Sequence, residues 1–364
     1  MRTSLILTML LLLGACSGRK EGEGRMPGAG NRPVEISGKT ADELFVVSRV
    51  VELETASESL ISFPFDLCVS GGELFVASRN NEIKVFNMEG KYLRSIGRLG
   101  DGPGEYRAIN SLFPHGSGEI GVFDWSNLRL TVFSREGEYR MSAVLAIPGM
   151  EGVRSMLFIN GYYYIHVPSA PALNYHIVRM DTSLDVVGGY VEEDRNYAGY
   201  QDRLLFNGGI VTDRDGKYIY EADSYFYGIR CIDPVTGTVT ELKFEPPSFY
   251  VSMPVLATPT SMEEALTLFQ KGTNVYNIFL AAGHFLVLEY HLAQGRGRVK
   301  IVYLFYDLNT GTCFTVPAGE AHPAYADGEH LYSLIYHSKN SKQREEAMVK
   351  NPSLVVYDLP ADNP

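Results

Sequence analysis

A unit of strand, turn and strand recurs along this chain, and the recurrence limits the possible folds more than any other feature. Gly72-Glu73-Leu74-Phe75-Val76-Ala77 leads to Ile83-Lys84-Val85-Phe86-Asn87, then Glu89-Gly90-Lys91. Further on, Gly118-Glu119-Ile120-Gly121-Val122-Phe123-Asp124 leads to Leu130-Thr131-Val132-Phe133-Ser134, then Glu136-Gly137-Glu138. Apolar residues at every second position put one face of each run in a core, and the Glu-Gly pairs supply tight turns. The offset of about 46 residues is the length of one four-stranded propeller blade.

Four weaker copies follow: 160–166 with 176–181, 215–220 with 228–233, 283–288 with 302–307, and 327–332 with 354–359. That makes six units. Several end in an aromatic or apolar residue, then Asp or Asn, then a glycine turn; the ring packs between sheets and the short polar side chain caps the turn. A lone four-stranded sheet leaves both faces wet, whereas sheets stacked around an axis cover one another, and closing the ring removes most free edges. The expected fold is all-β, a six-bladed β-propeller over residues 40–364. Closure requires the chain ends to share a blade, so the strand at 43–50 is predicted to complete the sixth one beside 354–359.

What precedes the repeats reads as an address. Residues 1–15 have a basic start at Arg2 and an apolar run from Leu5 to Leu13, a signal peptide too short to span a bilayer. Leu13-Gly14-Ala15-Cys16 resembles the lipobox of bacterial lipoproteins, which implies acylation of Cys16; ordinary secretory cleavage near Ala15 is the alternative. Residues 16–39 are rich in Gly, Pro and charge and are expected to be a flexible tether, and the acidic pair Glu21 and Glu23 resembles surface-export signals of Bacteroidota lipoproteins. A net charge of -11 with no basic stripe argues against a nucleic-acid partner. Cys68, Cys231 and Cys313 are odd in number and lack metal-binding spacing, so buried free thiols are expected, with a single disulfide as the alternative. One helical insertion is expected within 245–275, where Ser261-Met262-Glu263-Glu264 forms a capping box, and it serves either as a packing plug or as a lid.

Between the first two units lies Gly97-Arg98-Leu99-Gly100-Asp101-Gly102-Pro103-Gly104-Glu105-Tyr106. Preceded by Ile96, it resembles the signature of six-bladed β-propeller lipoproteins of Bacteroidota, relatives of the NHL-repeat propellers. The resemblance covers about residues 40–360 and is loose in the later units, which lack this stretch. It implies a seam carrying the chain from the outer strand of one blade to the inner strand of the next. Arg98, Asp101, Glu105 and Tyr106 are then candidates to line a mouth of the central channel.

No GxSxG, HExxH, Walker or dinucleotide motif is present. Some NHL-like propellers are lyases with an axial metal, and His166, His284 and His330 are the histidines placed on strands where such a set could converge. The lactonase-type propellers hold an axial calcium, whose ligands do not align here. The chain holds 23 tyrosines and one tryptophan. Most of these tyrosines serve packing, but Tyr197 and Tyr200 lie in a loop and are candidates to stack against a ligand. The resulting expectation is an envelope-anchored scaffold at the outer membrane or cell surface, monomeric, without a cofactor, binding a protein, peptide or glycan and touching the membrane only through its lipid. The alternative is a metal-dependent lyase or lactonase working on the axis.

Overall fold

Strands form where the repeat alternates, and they are buried because each sheet is covered on both faces. In the computed structural model, which describes residues 32–116, 118–145, 152–167, 174–201, 207–258, 260–295, 298–336 and 350–360, six antiparallel sheets make a β-propeller. From the axis outward, blade 1 comprises Pro64–Ser70, Glu73–Ser78, Glu82–Asn87 and Tyr92–Ile96. Blade 2 comprises Ile109–His115, Glu119–Asp124, Arg129–Phe133 and Tyr139–Val144. Blade 3 is Ser155–Ile159, Tyr162–His166, Tyr175–Met180 and Val186–Glu192. Blade 4 is Gly208–Thr212, Ile219–Asp223, Ile229–Ile232 and Val239–Leu242. Blade 5 is Asn274–Ala281, Phe285–Ala293, Val299–Asp307 and Cys313–Pro317.

Blade 6 is built from both ends of the chain. Tyr325–Ala326, Leu331–Ile335 and Ser353–Asp358 come from the end of the repeats, and Val46–Glu52 pairs antiparallel with the last of these. This is the closure expected from the sequence, with the strand shifted a few residues toward the C-terminus. Phe45 fastens it: the side chain is buried and meets Tyr303 edge-on at 5.1 Å, with Phe305 and Tyr357 at 5.8 and 6.1 Å. Six apolar clusters, one between each pair of neighbouring blades, form the core.

Two residues within the segment expected to be a tether form a strand. Val34–Glu35 pairs in parallel with Cys313–Pro317 as a fifth strand on blade 5, and Ile36 donates to the Thr315 carbonyl at 2.9 Å. Nothing in the composition of 16–39 announces a strand, because its partner lies nearly 280 residues away. The expected signal peptide and lipidation site at Cys16 lie outside the described residues. Cys68, Cys231 and Cys313 are buried, and no disulfide joins them among the described residues.

Candidate functional site

Every inner strand starts at one rim of the ring, where Ile109, Ser155 and Gly208 pair with Asp124, His166 and Asp223. Crossings from an outer strand to the next inner strand lie on this rim, here called the upper one. The glycine-rich seam is the crossing from blade 1 to blade 2, in which Arg98–Leu99 pairs in parallel with Glu105–Tyr106. Glycine is required at Gly97, where φ is +65° and a Cβ would overlap the Tyr106 ring, and at Gly100, where a Cβ would strike the Glu105 carboxylate.

The seam satisfies its own polar groups. Glu105 accepts from Arg98 Nε at 2.6 Å and from the Gly102 amide at 2.8 Å, which together hold its carboxyl below the usual range. Asp101 is held by Arg107, with Asn127 Nδ2 at 3.2 Å. Tyr106 is 1% exposed and donates to the Ile96 carbonyl at 2.6 Å. None of the four lines the axial cavity. This corrects the expected placement at a channel mouth: the charges that would face a ligand face each other, and the tyrosine packs between blades 1 and 2.

The axial cavity has a volume of about 480 Å³ and runs the depth of the inner strands. That size suits a small organic group or a chain end. At its upper end stand Phe65, Asn110, Arg154 and Asn277. Among the described residues Arg154 has no carboxylate within ion-pair distance, and its one side-chain contact is Asn207 Oδ1 at 3.5 Å. Burial pulls its pKa below the ordinary arginine value, with Tyr276 opposing. Arg154 stays charged all the same, since guanidinium does not lose its proton under ordinary conditions. Asp66, on the same wall, accepts from the Leu112 amide at 2.7 Å and the Leu67 amide at 2.9 Å. Burial outweighs both bonds and pushes its carboxyl up to about 7. The channel therefore offers a fixed cation at its mouth and an acid that titrates near neutrality.

The histidines do not share a site. His284, in the turn after Asn274–Ala281, is at the lower rim, where Nδ1 lies 2.6 Å from the Ala282 carbonyl. His330 stands at that rim too, half exposed beside Asp327 and Asp358. His166 is at the upper rim and fully buried. The expected axial triad is thus split between opposite ends of the ring. Tyr197 and Tyr200, by contrast, come together with Tyr225. Tyr197 and Tyr225 stack at 5.0 Å, and Tyr200 is fully buried with its hydroxyl on the Pro254 carbonyl. Tyr197 and Tyr200 belong to the crossing from blade 3 to blade 4, which contains the short helix α1 (Ala198–Gln201), and Tyr225 to the turn between the second and third strands of blade 4. Over them lies α2 (Met262–Phe269), in the crossing from blade 4 to blade 5, through Ala265, Phe269 and Met253. Ser261 caps α2 by accepting from the Glu264 amide at 3.1 Å, while the Glu264 carboxylate turns to Thr260 instead of completing the box. The insertion is packed down as a plug over the tyrosines.

Beneath that plug, between blades 3 and 4, His166, His176, Glu221, Asp223 and Arg230 form a polar cluster, four of them almost wholly buried. Arg230 Nη1 donates to Glu221 Oε2 at 2.7 Å and Asp223 Oδ2 at 2.8 Å. His176 Nδ1 lies 3.2 Å from Asp223 Oδ2. Burial alone would neutralise both carboxyls, but the Arg230 charge overrides it and keeps them ionised. Burial also works against a charged His176, yet the Asp223 carboxylate bonded to it and the Glu221 carboxylate nearby lift its pKa to about 9, whereas burial prevails at His166 and lowers it.

Residues 37–353 match a family described as a domain of unknown function, DUF4934. The chain belongs to this family. Among solved structures, the DUF4934 chain is similar to a protein of Bacteroides fragilis whose assignment as exported is itself provisional, with 13% identity, a TM-score of 0.65, and coverage of 90% of this chain and 99% of that one. It is also similar to a DUF4221 family member from Bacteroides vulgatus, with 11% identity, a TM-score of 0.63, and coverage of 87% and 97%. No curated protein matches the sequence. These likenesses show the propeller fold and leave the chemistry to the residues of the DUF4934 domain itself.

Sequence reasoning missed Arg154 and Asp66 because neither sits in a motif. A signal existed: the inner strands carry polar residues where a two-sided core would have apolar ones. It missed the buried cluster as well, although Glu221 and Asp223 fall two apart on an otherwise apolar strand, which puts two acids on one buried face.

Proposed function

We propose that this chain is an exported, lipid-anchored binding scaffold whose upper channel mouth takes the carboxylate-bearing end of a peptide or glycan. The observation that carries the reading is Arg154, a cation at the opening of a cavity of about 480 Å³ with no acidic partner among the described residues. A planar guanidinium suits two carboxylate oxygens, and exposed Phe65, which lines the same cavity, offers a ring to an apolar or sugar face. The likeness to a Bacteroides protein regarded as exported, together with the lipobox ending at Cys16, supports an envelope location. The histidines split between the two rims give no support to a lyase or lactonase with an axial triad.

The test is calorimetric titration of the mature chain with uronic-acid oligosaccharides and peptides with free C-termini. Charge-assisted bonds contribute about 1.5–3 kcal/mol, so Arg154→Gln should weaken a hit roughly 10- to 100-fold. Unchanged affinity in that variant, or hits confined to neutral ligands, would remove Arg154 from the site.

A further inference from the structure

We infer that the buried cluster between blades 3 and 4 is a binding site for a divalent transition-metal ion, with zinc the best match to its ligands. Three donors already stand together, from His176 on blade 3 and Glu221 and Asp223 on blade 4, and His166 Nε2, 3.7 Å from Glu221 Oε1, is assigned as the fourth.

Three observations carry this. The first is a set of orphaned atoms. Both ring nitrogens of His166 and the Oε1 of Glu221 are buried without a hydrogen-bond partner among the described residues, although both side chains are 0% exposed. Leaving such groups unpaired costs about 1–3 kcal/mol each, so three in one place call for an explanation. The second is spacing. His166 Nε2 lies 3.7 Å from Glu221 Oε1, and His176 Nδ1 lies 3.9 Å from it and 3.2 Å from Asp223 Oδ2. The two longer separations exceed a hydrogen bond. Ligands bound at about 2.0–2.2 Å around a tetrahedral ion stand about 3.4 Å apart, within a few tenths of what is seen. The ligand atoms of His176, Glu221 and Asp223 all fall within 4.8 Å of one another.

The third observation is charge. Two carboxylates in a closed, water-poor space are balanced by the Arg230 guanidinium and a proton on His176, and a divalent ion would take the place of that proton. Arg230 Nη1 holds Glu221 by Oε2, which leaves Oε1 toward His166, and also holds Asp223 by Oδ2, an oxygen the ion would share with it; the guanidinium rests on the Phe226 ring at 4.0 Å. It acts as an outer group fixing the orientation of a ligand. Two imidazoles with two carboxylates favour zinc or a neighbouring first-row ion over calcium and magnesium, which take oxygen alone. Full burial marks the site as closed, and its ligands come from two blades, so the ion would clasp those blades together under the tyrosine plug. Asp223 links the two layers, since its Oδ1 accepts from the Tyr225 and Phe226 amides at 2.6 and 2.8 Å.

The experiment uses the full mature chain stripped by chelator, then titrated with zinc and, separately, with cobalt(II). The expected result is one equivalent of zinc retained through gel filtration, a higher melting temperature, and the strong visible absorption of four-coordinate cobalt. His166→Asn and Glu221→Gln should each reduce zinc affinity at least tenfold and abolish the cobalt spectrum. Retention of less than a tenth of an equivalent by the wild-type chain would overturn the inference, as would a weak six-coordinate cobalt spectrum or full retention in both variants. Because a variant in this core can fail to fold, the wild-type stoichiometry and spectrum decide on their own. The channel is not involved: Arg154→Gln should bind zinc normally, so a failed ligand screen and a failed metal titration stay distinct.

Discussion

Closing the ring is the step on which this fold rests, and Phe45→Ala isolates it. The side chain is 1% exposed and lies between blades 5 and 6 against Tyr303, Phe305 and Tyr357. Truncating a buried phenylalanine costs about 3–5 kcal/mol, and aromatic pairs add about 0.5–1.5 kcal/mol beyond area. Three ring neighbours place Phe45 in the upper part of that range, so a loss of about 4–5 kcal/mol is expected. Val50→Ala is the control, on the strand that closes the ring but 53% exposed, and should change stability by no more than about 0.5 kcal/mol. Urea unfolding followed by tyrosine fluorescence reads both, with the midpoint falling and the slope unchanged if the same surface is exposed on unfolding. A loss below about 1 kcal/mol for Phe45→Ala, or equal losses in the two variants, would refute the claim that this contact latches the ring.

Three further outcomes follow from the same geometry. Gly97→Ala meets both a left-handed backbone and the Tyr106 ring, and should cost about 2–3 kcal/mol by denaturant melting, against about 1 kcal/mol for Gly237→Ala, where φ is +76° and nothing lies within 4 Å. Asp66 titrates near 7 in the fold and near 4 when unfolded, so between those values the native chain keeps a proton that the unfolded chain has released. Stability then falls as pH rises from 4 to 7 and levels off above, by at most about 4 kcal/mol and less where water enters the channel; Asp66→Asn should remove that slope, and an unchanged slope would exclude Asp66 as its source. Cys16→Ser should move the protein from the membrane fraction to the soluble one in a cell fractionation, and continued membrane association would dismiss the lipid anchor.

What the sequence made legible depends on whether local pattern or distant contact decides a residue's place. Glu119–Asp124 and Arg129–Phe133 could be read because alternation and a glycine turn suffice to specify a hairpin. Ser155–Ile159 and Gly208–Thr212 could not, since one side of an inner strand faces the channel, and Arg154 and Gly209 break the alternation there. Val34–Glu35 was invisible for a different reason: two residues in a polar stretch become a strand only because the edge of blade 5 is free to receive them. The candidate site shows the same division. Cues that a linear motif can carry, such as the glycines at Gly97 and Gly100, turned out to shape a connection whose charges cancel internally. The five residues of the buried cluster are separated by as many as 64 positions and meet only through the stacking of two blades.

That contrast explains how one repeat makes two different halves of the upper rim. In blade 1 the crossing to the next inner strand is short, so its backbone must turn sharply and glycine supplies the angles; Arg98, Asp101, Glu105 and Arg107 then neutralise one another where they are crowded together. In blades 3 and 4 the same crossing is long, and the extra residues fold onto each other as Tyr197, Tyr200, Met253 and Phe269. A short crossing can only latch its two blades, whereas a long one can roof a space and keep water from it. The buried acids and histidines lie under the long crossings because charged groups persist in a core only where they are both paired and sealed. Arg154, at the start of the inner strand of blade 3, stands where the latched side gives way to the roofed one, and it is left facing the open channel.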